Sequence, residues 1–511
     1  MQVMKKLLQY TLLFLMGIQI LMGGAYIVLN IGKTQQFMES IRLFGLGEQL
    51  VSDGYTGILY SALLWLCHIL SGGAHAVYAN GITTIPFSAF ISVLQLVCFA
   101  AATWYFLGVW MEYGWKKAVC TAYLLTVPFL LQMHLAVLPW SLGLSAVEVM
   151  LGGFLRLVRQ GNPADKEIEE PASRMDREKN TEQKKNTAQT DGKKDILCMS
   201  LGLMAAGLIR VDLFWICGLF LLCALFLLFI KKETRESVMA SGENQREEQG
   251  KEQSKEQSRE QCRRQWKKLW LVFFLVEIAV FTVNRVTYVP QEDRIQNSFQ
   301  ASMVSRFVWP NFATNYYFWS DEVKEAISLE DAVKICQRED ALESFFGPVM
   351  EQKYGYQKAK SLYLEMAYQC FMDRTKEEIL MLAEDIKDYI LIPFTVERNL
   401  SGEGTSLTAW NYGRMQEHAP WLVKYYYRYS LLVLPVMLLI SIVVSMARMS
   451  WKINFRFNKI QIRVIRYLVG FGIWYGLWFA MASNKPIDYK LVLPVVFIWY
   501  LLGISGVVEK K

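Results

Sequence analysis

About ten or eleven apolar segments, each near the length of a bilayer crossing, run through this 511-residue chain. A stretch such as Leu7–Leu29 or Trp270–Val289 carries enough consecutive apolar residues to span a hydrocarbon core about 30 Å thick. Hydrocarbon offers the backbone no hydrogen-bond partner, so each stretch is expected to be a helix. The fold class that follows is an all-α polytopic membrane protein. It has about ten transmembrane helices, one re-entrant or short helix, and a mainly helical external domain. With 53% hydrophobic residues, a soluble chain of this kind would aggregate.

Charge is placed unevenly along the chain, and it orients the protein. Lys5 and Lys6 put the N-terminus in the cytoplasm, and Met1–Leu29 reads as a signal anchor because its apolar run is too long for a cleavable signal. Arg448, Lys452, Arg456, Lys459, Arg463 and Arg466 put that loop inside as well. Between them, Val289–Tyr427 holds 21 acidic and 14 basic residues and reads as external. Three regions follow. Residues 1–289 form a transmembrane domain with disordered cytoplasmic loops at 160–195 and 231–268, residues 290–427 an external helical domain, and residues 428–511 the C-terminal transmembrane helices.

An odd number of crossings would leave the two termini on opposite sides, so one segment is expected not to cross. Ile58–Leu70 is the shortest, and in that case Leu124–Leu138 crosses and Ile196–Ile230 is a hairpin turning at Arg210–Asp212. The rival arrangement crosses at Ile58–Leu70 and makes Ile196–Ile230 a single pass. The repeat over Glu248–Arg263 reads as a spacer. In the external region, Ser328–Asp331 and Thr375–Glu378 resemble capping boxes, Leu391–Thr395 suits a short strand, and Cys336 and Cys370 are a candidate disulfide pair.

This topology gathers charged groups on the outer face. The first external loop, Asn30–Tyr55, offers Glu39, Arg42, Glu48 and Asp53. The hairpin turn offers Arg210 and Asp212, and the last external loop Lys485, Asp488, Tyr489 and Lys490; His134 and Trp140 lie near the same level. Carboxylates beside bases at a membrane surface suit activation of a hydroxyl or amine, cation binding, or a grip on lipid phosphates. Most single charges in short loops are only solvated, but Arg210–Asp212 interrupts an apolar stretch and is costly unless paired or wet. Glu148 and Glu277 sit inside apolar segments, where an acid defaults to a functional reading. His68 and His134 read as hydrogen-bonded helix residues, and no metal ligand is assigned because no His/Cys spacing matches a metal site. There is no phosphate-binding glycine loop and no Gly-x-Ser-x-Gly elbow.

Three passages together resemble the GT-C class of membrane glycosyltransferases, in particular the protein O-mannosyltransferase and aminoarabinose transferase branch. They are the aromatic-rich helix start Asp53–Trp65, the stretch Gly202–Arg210 ending in a basic residue, and Lys485–Pro494, where Lys485 and Tyr489 precede a Leu-Pro helix. The family carries an Asp soon after its first helix. Here that stretch is Gly32–Glu39, so Glu39 or Asp53 takes the place.

The resemblance implies transfer of a sugar from a polyprenyl-phosphate donor to an extracytoplasmic acceptor at the plasma membrane. Glu39 or Asp53 would be the catalytic base. Arg210, Lys485, Tyr489 and Lys490 would hold the donor phosphate, supported by Asp212, Asp488 and His134. The partners implied are the lipid-linked sugar and membrane lipid, with no nucleic acid. No cofactor is assigned, although a divalent cation suits this chemistry. The acidic external domain favours a neutral or basic acceptor. The rival readings are a non-catalytic scaffold of the same fold and a lipid or solute transporter. The transporter predicts internal repeats and interrupted helices, and no clear repeat is present.

Overall fold

The computed structural model describes residues 2–30, 38–53, 56–79, 82–109, 111, 114–160, 177–242, 270–288, 303–308, 312–336, 346–399, 420–451, 458–482 and 493–505. It is mostly helical and divides into two compact units. One comprises Met1–Val289, Pro420–Phe471 and Phe497–Lys511; the other comprises Pro290–Ala419 and Gly472–Val496.

The first unit opens with α1 (Gln2–Asn30), α2 (Met38–Gln49) and α3 (Ile58–Leu70). A short antiparallel hairpin follows, β1 (Val77–Ala79) with β2 (Ile82–Thr84). Next come α4 (Ser88–Leu107), α5 (Gly114–Leu125), α6 (Pro128–Leu135), α7 (Trp140–Gln160), α8 (Arg177–Ile209) and α9 (Val211–Gly242), then α10 (Trp270–Thr287). Among the described residues four helices are long and apolar enough to cross a bilayer: Lys6–Leu29, Ser88–Leu107, Trp140–Arg159 and Trp270–Thr287. Four shorter apolar helices accompany them, at Ile58–Leu70, Val211–Leu227, Arg428–Val444 and Pro494–Gly503. Along α10, Leu271, Phe274, Leu275, Ile278 and Phe281 are all exposed. Such a row suits contact with lipid.

Several expectations change. The 13-residue α3 is about 20 Å long, short of the hydrocarbon thickness, as expected for Ile58–Leu70. Leu124–Leu138 is no continuous crossing, because α5 and α6 are separated at Thr126–Val127 and Pro128 starts the second piece. Proline cannot donate to the preceding turn, so the break falls there. The expected disordered loops are partly helix: α8 begins at Arg177 and α9 continues to Gly242. Both extensions carry several Lys, Glu and Arg, which have high intrinsic helix propensity. Residues 161–176 and 243–269, including the Glu248–Arg263 repeat, lie outside the described residues. The hairpin turn between α8 and α9 falls at Arg210.

Close helix packing rests on small residues. A methyl added at Gly202 of α8 would lie 2.5 Å from the Met150 amide nitrogen and 2.8 Å from the Ala146 carbonyl oxygen of α7. One at Gly153 of α7 would lie 2.7 Å from the Asp195 carbonyl oxygen and the Met199 nitrogen of α8. Without a hydrophobic drive between helices in lipid, such approach is what holds them. The two intramembrane acids are also placed. Glu148 is fully buried on α7 and accepts a 2.7 Å hydrogen bond from the Thr103 hydroxyl of α4. Glu277 of α10 lies over Gly218 of α9, where a methyl would come within 2.5 Å of its Oε1.

The second unit carries α11 (Asp321–Ala326), α12 (Leu329–Cys336), α13 (Gly347–Asp373) and α14 (Thr375–Asn399). Its aromatic core stacks Phe312 on Trp319 at 5.8 Å and Phe346 on Tyr363 at 5.2 Å, centroid to centroid. Ser328 caps α12 as expected: its hydroxyl accepts from the Asp331 amide and donates to the Asp331 carboxylate. Thr375 does not cap α14. Its hydroxyl bonds back to the Phe371 carbonyl at 2.9 Å, because α14 follows α13 with only Arg374 between. Leu391–Thr395 lies inside α14 and is no strand. Of the candidate pair, Cys370 is a buried free thiol whose pKa burial pushes up, and the Cys336 side chain lies outside the described residues. The C-terminal helices are α15 (Pro420–Trp451), α16 (Asn458–Ala482) and α17 (Leu493–Gly503). α15 begins at Pro420, ahead of residue 428, where the C-terminal helices are expected to start.

The α7–α8 contact predicts opposite outcomes for two glycines. Gly202→Ala should destabilise by about 1–3 kcal/mol, since backbone atoms cannot give way. Gly24→Ala, which meets nothing within 4 Å, should be neutral or slightly stabilising. Melting of the detergent-purified variants checks this, and equal shifts would remove the close-packing account.

Candidate functional site

Three backbone segments of the first unit meet between α2 and α3. At the end of α2 the Val51 amide bonds back to the Leu46 carbonyl and the Leu50 amide to the Gly47 carbonyl. This closure turns Leu50 to a φ of +53°, a conformation that disfavours any residue with a Cβ. The chain then leaves the helix extended. Ser52 pairs with Tyr288 just past α10: its amide donates to the Thr287 carbonyl at 3.1 Å and the two hydroxyls meet at 2.8 Å. Thr56 pairs with Arg210 in the α8–α9 turn, and the Gly57 amide donates to the Ile209 carbonyl at 2.9 Å.

Asp53 lies within this strip and is 8% exposed. Its amide donates to the Thr56 carbonyl at 3.0 Å, and its Oδ1 accepts from the Thr56 amide, an Asx-type turn that fixes the carboxylate locally. Its Oδ2 takes an ion pair from Arg42 of α2. Arg210 grips Asp212 through both carboxylate oxygens, Nε to Oδ1 at 2.9 Å and Nη2 to Oδ2 at 2.6 Å. The Arg210 guanidinium carbon lies 3.4 Å from the centroid of the Trp140 ring. Planar stacking and forked hydrogen bonding are what Arg offers and Lys does not. Asp212 also accepts from the Leu213 amide at 2.9 Å, in the first turn of α9.

Trp140 is held in place by an irregular segment. Residues 136–139 link α6 to α7, and the carbonyls from the end of α6 into this link are met by side chains: Ser92 donates to Leu135, Gln95 to His134 and Ala136, and Ser40 of α2 to Val137. His134 is fully buried, with Nδ1 2.7 Å from the Ser141 hydroxyl and its ring 4.1 Å from that of Phe99. It braces the α6–α7 corner.

Of the expected site residues, Asp53, Arg210 and Asp212 come together, with Arg42 and Trp140 added to them. Lys485, Asp488, Tyr489 and Lys490 lie outside the described residues, and Glu39 is described only as a member of α2. Sequence reasoning singled out neither Ser52 and Thr56, which join the strip to its neighbours, nor His75, which with Glu48 and His68 brings three ligand-type atoms within 4.8 Å of one another. Two histidines seven residues apart around a Gly-Gly pair were the available signal for the last. No protein-family model, no curated protein and no solved structure matches the chain.

Chemically the strip offers a fixed carboxylate and two guanidiniums beside an aromatic face. The Arg210–Asp212 pair is 5% and 17% exposed by side chain. Breaking so buried a pair by removing one partner typically costs about 3–5 kcal/mol. Asp212→Ala is expected to lose that order of stability, read as a fall in melting temperature. A loss near zero would place the pair in water instead.

Proposed function

We propose that this chain is an integral membrane glycosyltransferase that moves a sugar from a polyprenyl-phosphate donor to an extracytoplasmic acceptor. The observation that carries the reading is the backbone bridge between Thr56 and Arg210, since the same Thr56 is bonded through its amide to the Asp53 carboxylate. A transferase using a lipid phosphate needs such a neighbourhood: cationic donors for the phosphate, and a carboxylate for the acceptor proton or a cation. Trp140 adds a flat apolar face against which a sugar ring can lie.

In this reading the site faces the outside of the plasma membrane and both termini are cytoplasmic. Arg210 takes the donor phosphate, oriented by Asp212 and Trp140, with His134 in support at the α6–α7 corner. Asp53 is engaged by Arg42 and by the Thr56 amide, so it acts as base or cation ligand only by exchanging Arg42 for substrate. Glu39, at the start of α2, is the second carboxylate for that step. Catalysis would come from positioning and charge stabilisation.

Tying both Asp53 oxygens into the fold is the observation that favours the rival, a non-catalytic scaffold. Transfer separates the two. Membranes bearing the wild-type chain, Asp53→Asn, Glu39→Gln or Arg210→Lys are supplied with a panel of radiolabelled polyprenyl-phosphate sugars. The enzyme predicts transfer by the wild type, a loss of at least about 100-fold in Arg210→Lys and in one carboxylate variant, and unchanged protein abundance. Equal transfer in all four, or none by the wild type across the panel, leaves the scaffold.

A further inference from the structure

The chain has four histidines, and two of them, His68 and His75, converge on the Glu48 carboxylate. Glu48 lies in the last turn of α2, and His68 in the last turn of α3. Two consecutive glycines then reverse the chain. Gly72 and Gly73 have φ of +72° and +82°, and the Gly73 amide and the Ser71 hydroxyl both bond to the His68 carbonyl. Only glycine adopts that pair of angles without cost. The reversal brings His75 back beside His68, with ring centroids 5.5 Å apart. Nδ1 of His75 is 2.8 Å from Glu48 Oε1, and Nδ1 of His68 is 3.9 Å from the same oxygen.

We propose that Glu48, His68 and His75 bind a divalent transition-metal ion of the Zn²⁺ class, with a fourth position open to water. The donor set is two imidazoles and one carboxylate, which suits Zn²⁺ and excludes the hard, oxygen-seeking Mg²⁺ and Ca²⁺. Size agrees. Ligands at about 2.0–2.2 Å from a tetrahedral ion lie roughly 3.3–3.5 Å apart. The separations of 2.8 and 3.9 Å to Glu48 bracket that span, and no pair of ligand atoms exceeds 4.8 Å. His75 is the adjustable partner, since its side chain is 74% exposed and can turn onto the ion. His68 Nδ1 now lies 3.1 Å from the Ala74 carbonyl oxygen and gives up that contact on binding. An ordinary ion pair needs one histidine on Glu48; the second ring, positioned by the glycine reversal, is what a metal uses.

The bound ion would tie the end of α2 to the end of α3. Glu48 follows Arg42 by six residues, about 9 Å along the helix, so the ion would steady the helix that carries the partner of Asp53. The site does not depend on the sugar-transfer reading.

The test uses the full chain in detergent, purified on a tag without histidine and stripped with chelator. Calorimetric titration with Zn²⁺ should give one saturable equivalent, Mg²⁺ none, and Co²⁺ the intense visible bands of a tetrahedral site. His75→Ala alters an exposed side chain and should fold normally, yet bind Zn²⁺ at least 10-fold more weakly. Glu48→Gln should weaken binding likewise. Zn²⁺ should raise the melting temperature of the wild type but not of His75→Ala. Absence of saturable Zn²⁺ binding, or equal affinity in wild type and His75→Ala, would overturn the proposal and leave Glu48–His75 as an ion pair.

Discussion

Backbone polar groups in a bilayer find partners within the protein or stay unmet at a cost of several kcal/mol each. Three described breaks in the first unit can be read as an answer to that demand. At the α5–α6 break the Thr126 carbonyl accepts from Gln19 of α1 and Tyr426 of α15. At the α6–α7 corner, Ser40, Ser92 and Gln95 meet four successive carbonyls from His134 to Val137. Between α2 and α3 the extended strip takes its partners from the ends of α8 and α10. Polar side chains at these breaks are thus spent on backbone, which is why Ser40, Ser92 and Gln95 are buried although they stand in apolar surroundings.

That demand also gathers the charges. A helix end that must pair with another segment brings the residues flanking the break along with it. Thr56 pairs with Arg210 for backbone reasons, and the consequence is that Asp53 and Asp212, far apart in the chain, flank one strip. The ion pairs then hold their members in fixed rotamers, and the Trp140 face fixes the plane of Arg210. Preorganisation of this kind is what an active site needs. A scaffold would also profit from it through stability, so geometry and activity have to be separated by the transfer measurement.

The mainly helical character and four membrane-length helices are legible because an 18-residue apolar run has few alternatives, whereas the other expected crossings include helices of 10–17 residues among the described residues. Ile58–Leu70 was bounded to the residue, and the turn at Arg210 was found because a charged pair in an apolar run has to mark an end. What failed has specific causes. A proline inside an apolar run split Leu124–Leu138, and hydropathy does not register that. Low hydrophobicity with mixed charge suggested disorder for 177–194, yet the same residues are good helix formers and extend α8. The Leu391–Thr395 segment is β-prone alone but continues a helix already begun. At the site, charge and sidedness pointed to Asp53 and Arg210. The strip joining them depends on Ser52, Thr56 and Thr287, ordinary polar residues that nothing in a single sequence distinguishes from solvated ones.

The same backbone partnerships weigh on the transporter reading. Transporters of ions and small anions place unwound helices at the middle of the membrane so that free carbonyls and helix ends can coordinate cargo. The breaks here have a different character. Thr126, His134, Leu135, Ala136 and Val137 have carbonyls already engaged by side chains from α1, α2, α4 and α15. A cargo ion would have to displace Gln19, Gln95, Ser40 or Ser92, each of which would then be stranded in apolar surroundings at the cost of an unmet polar group. Tyr426 adds a steric term, since a methyl on Gly23 would come within 2.9 Å of its hydroxyl. The α5–α6 break therefore behaves as a packed corner. It shapes the first unit by letting α1 and α15 close on it and leaves the extended strip at Asp53 and Arg210 as the place where fixed charges meet.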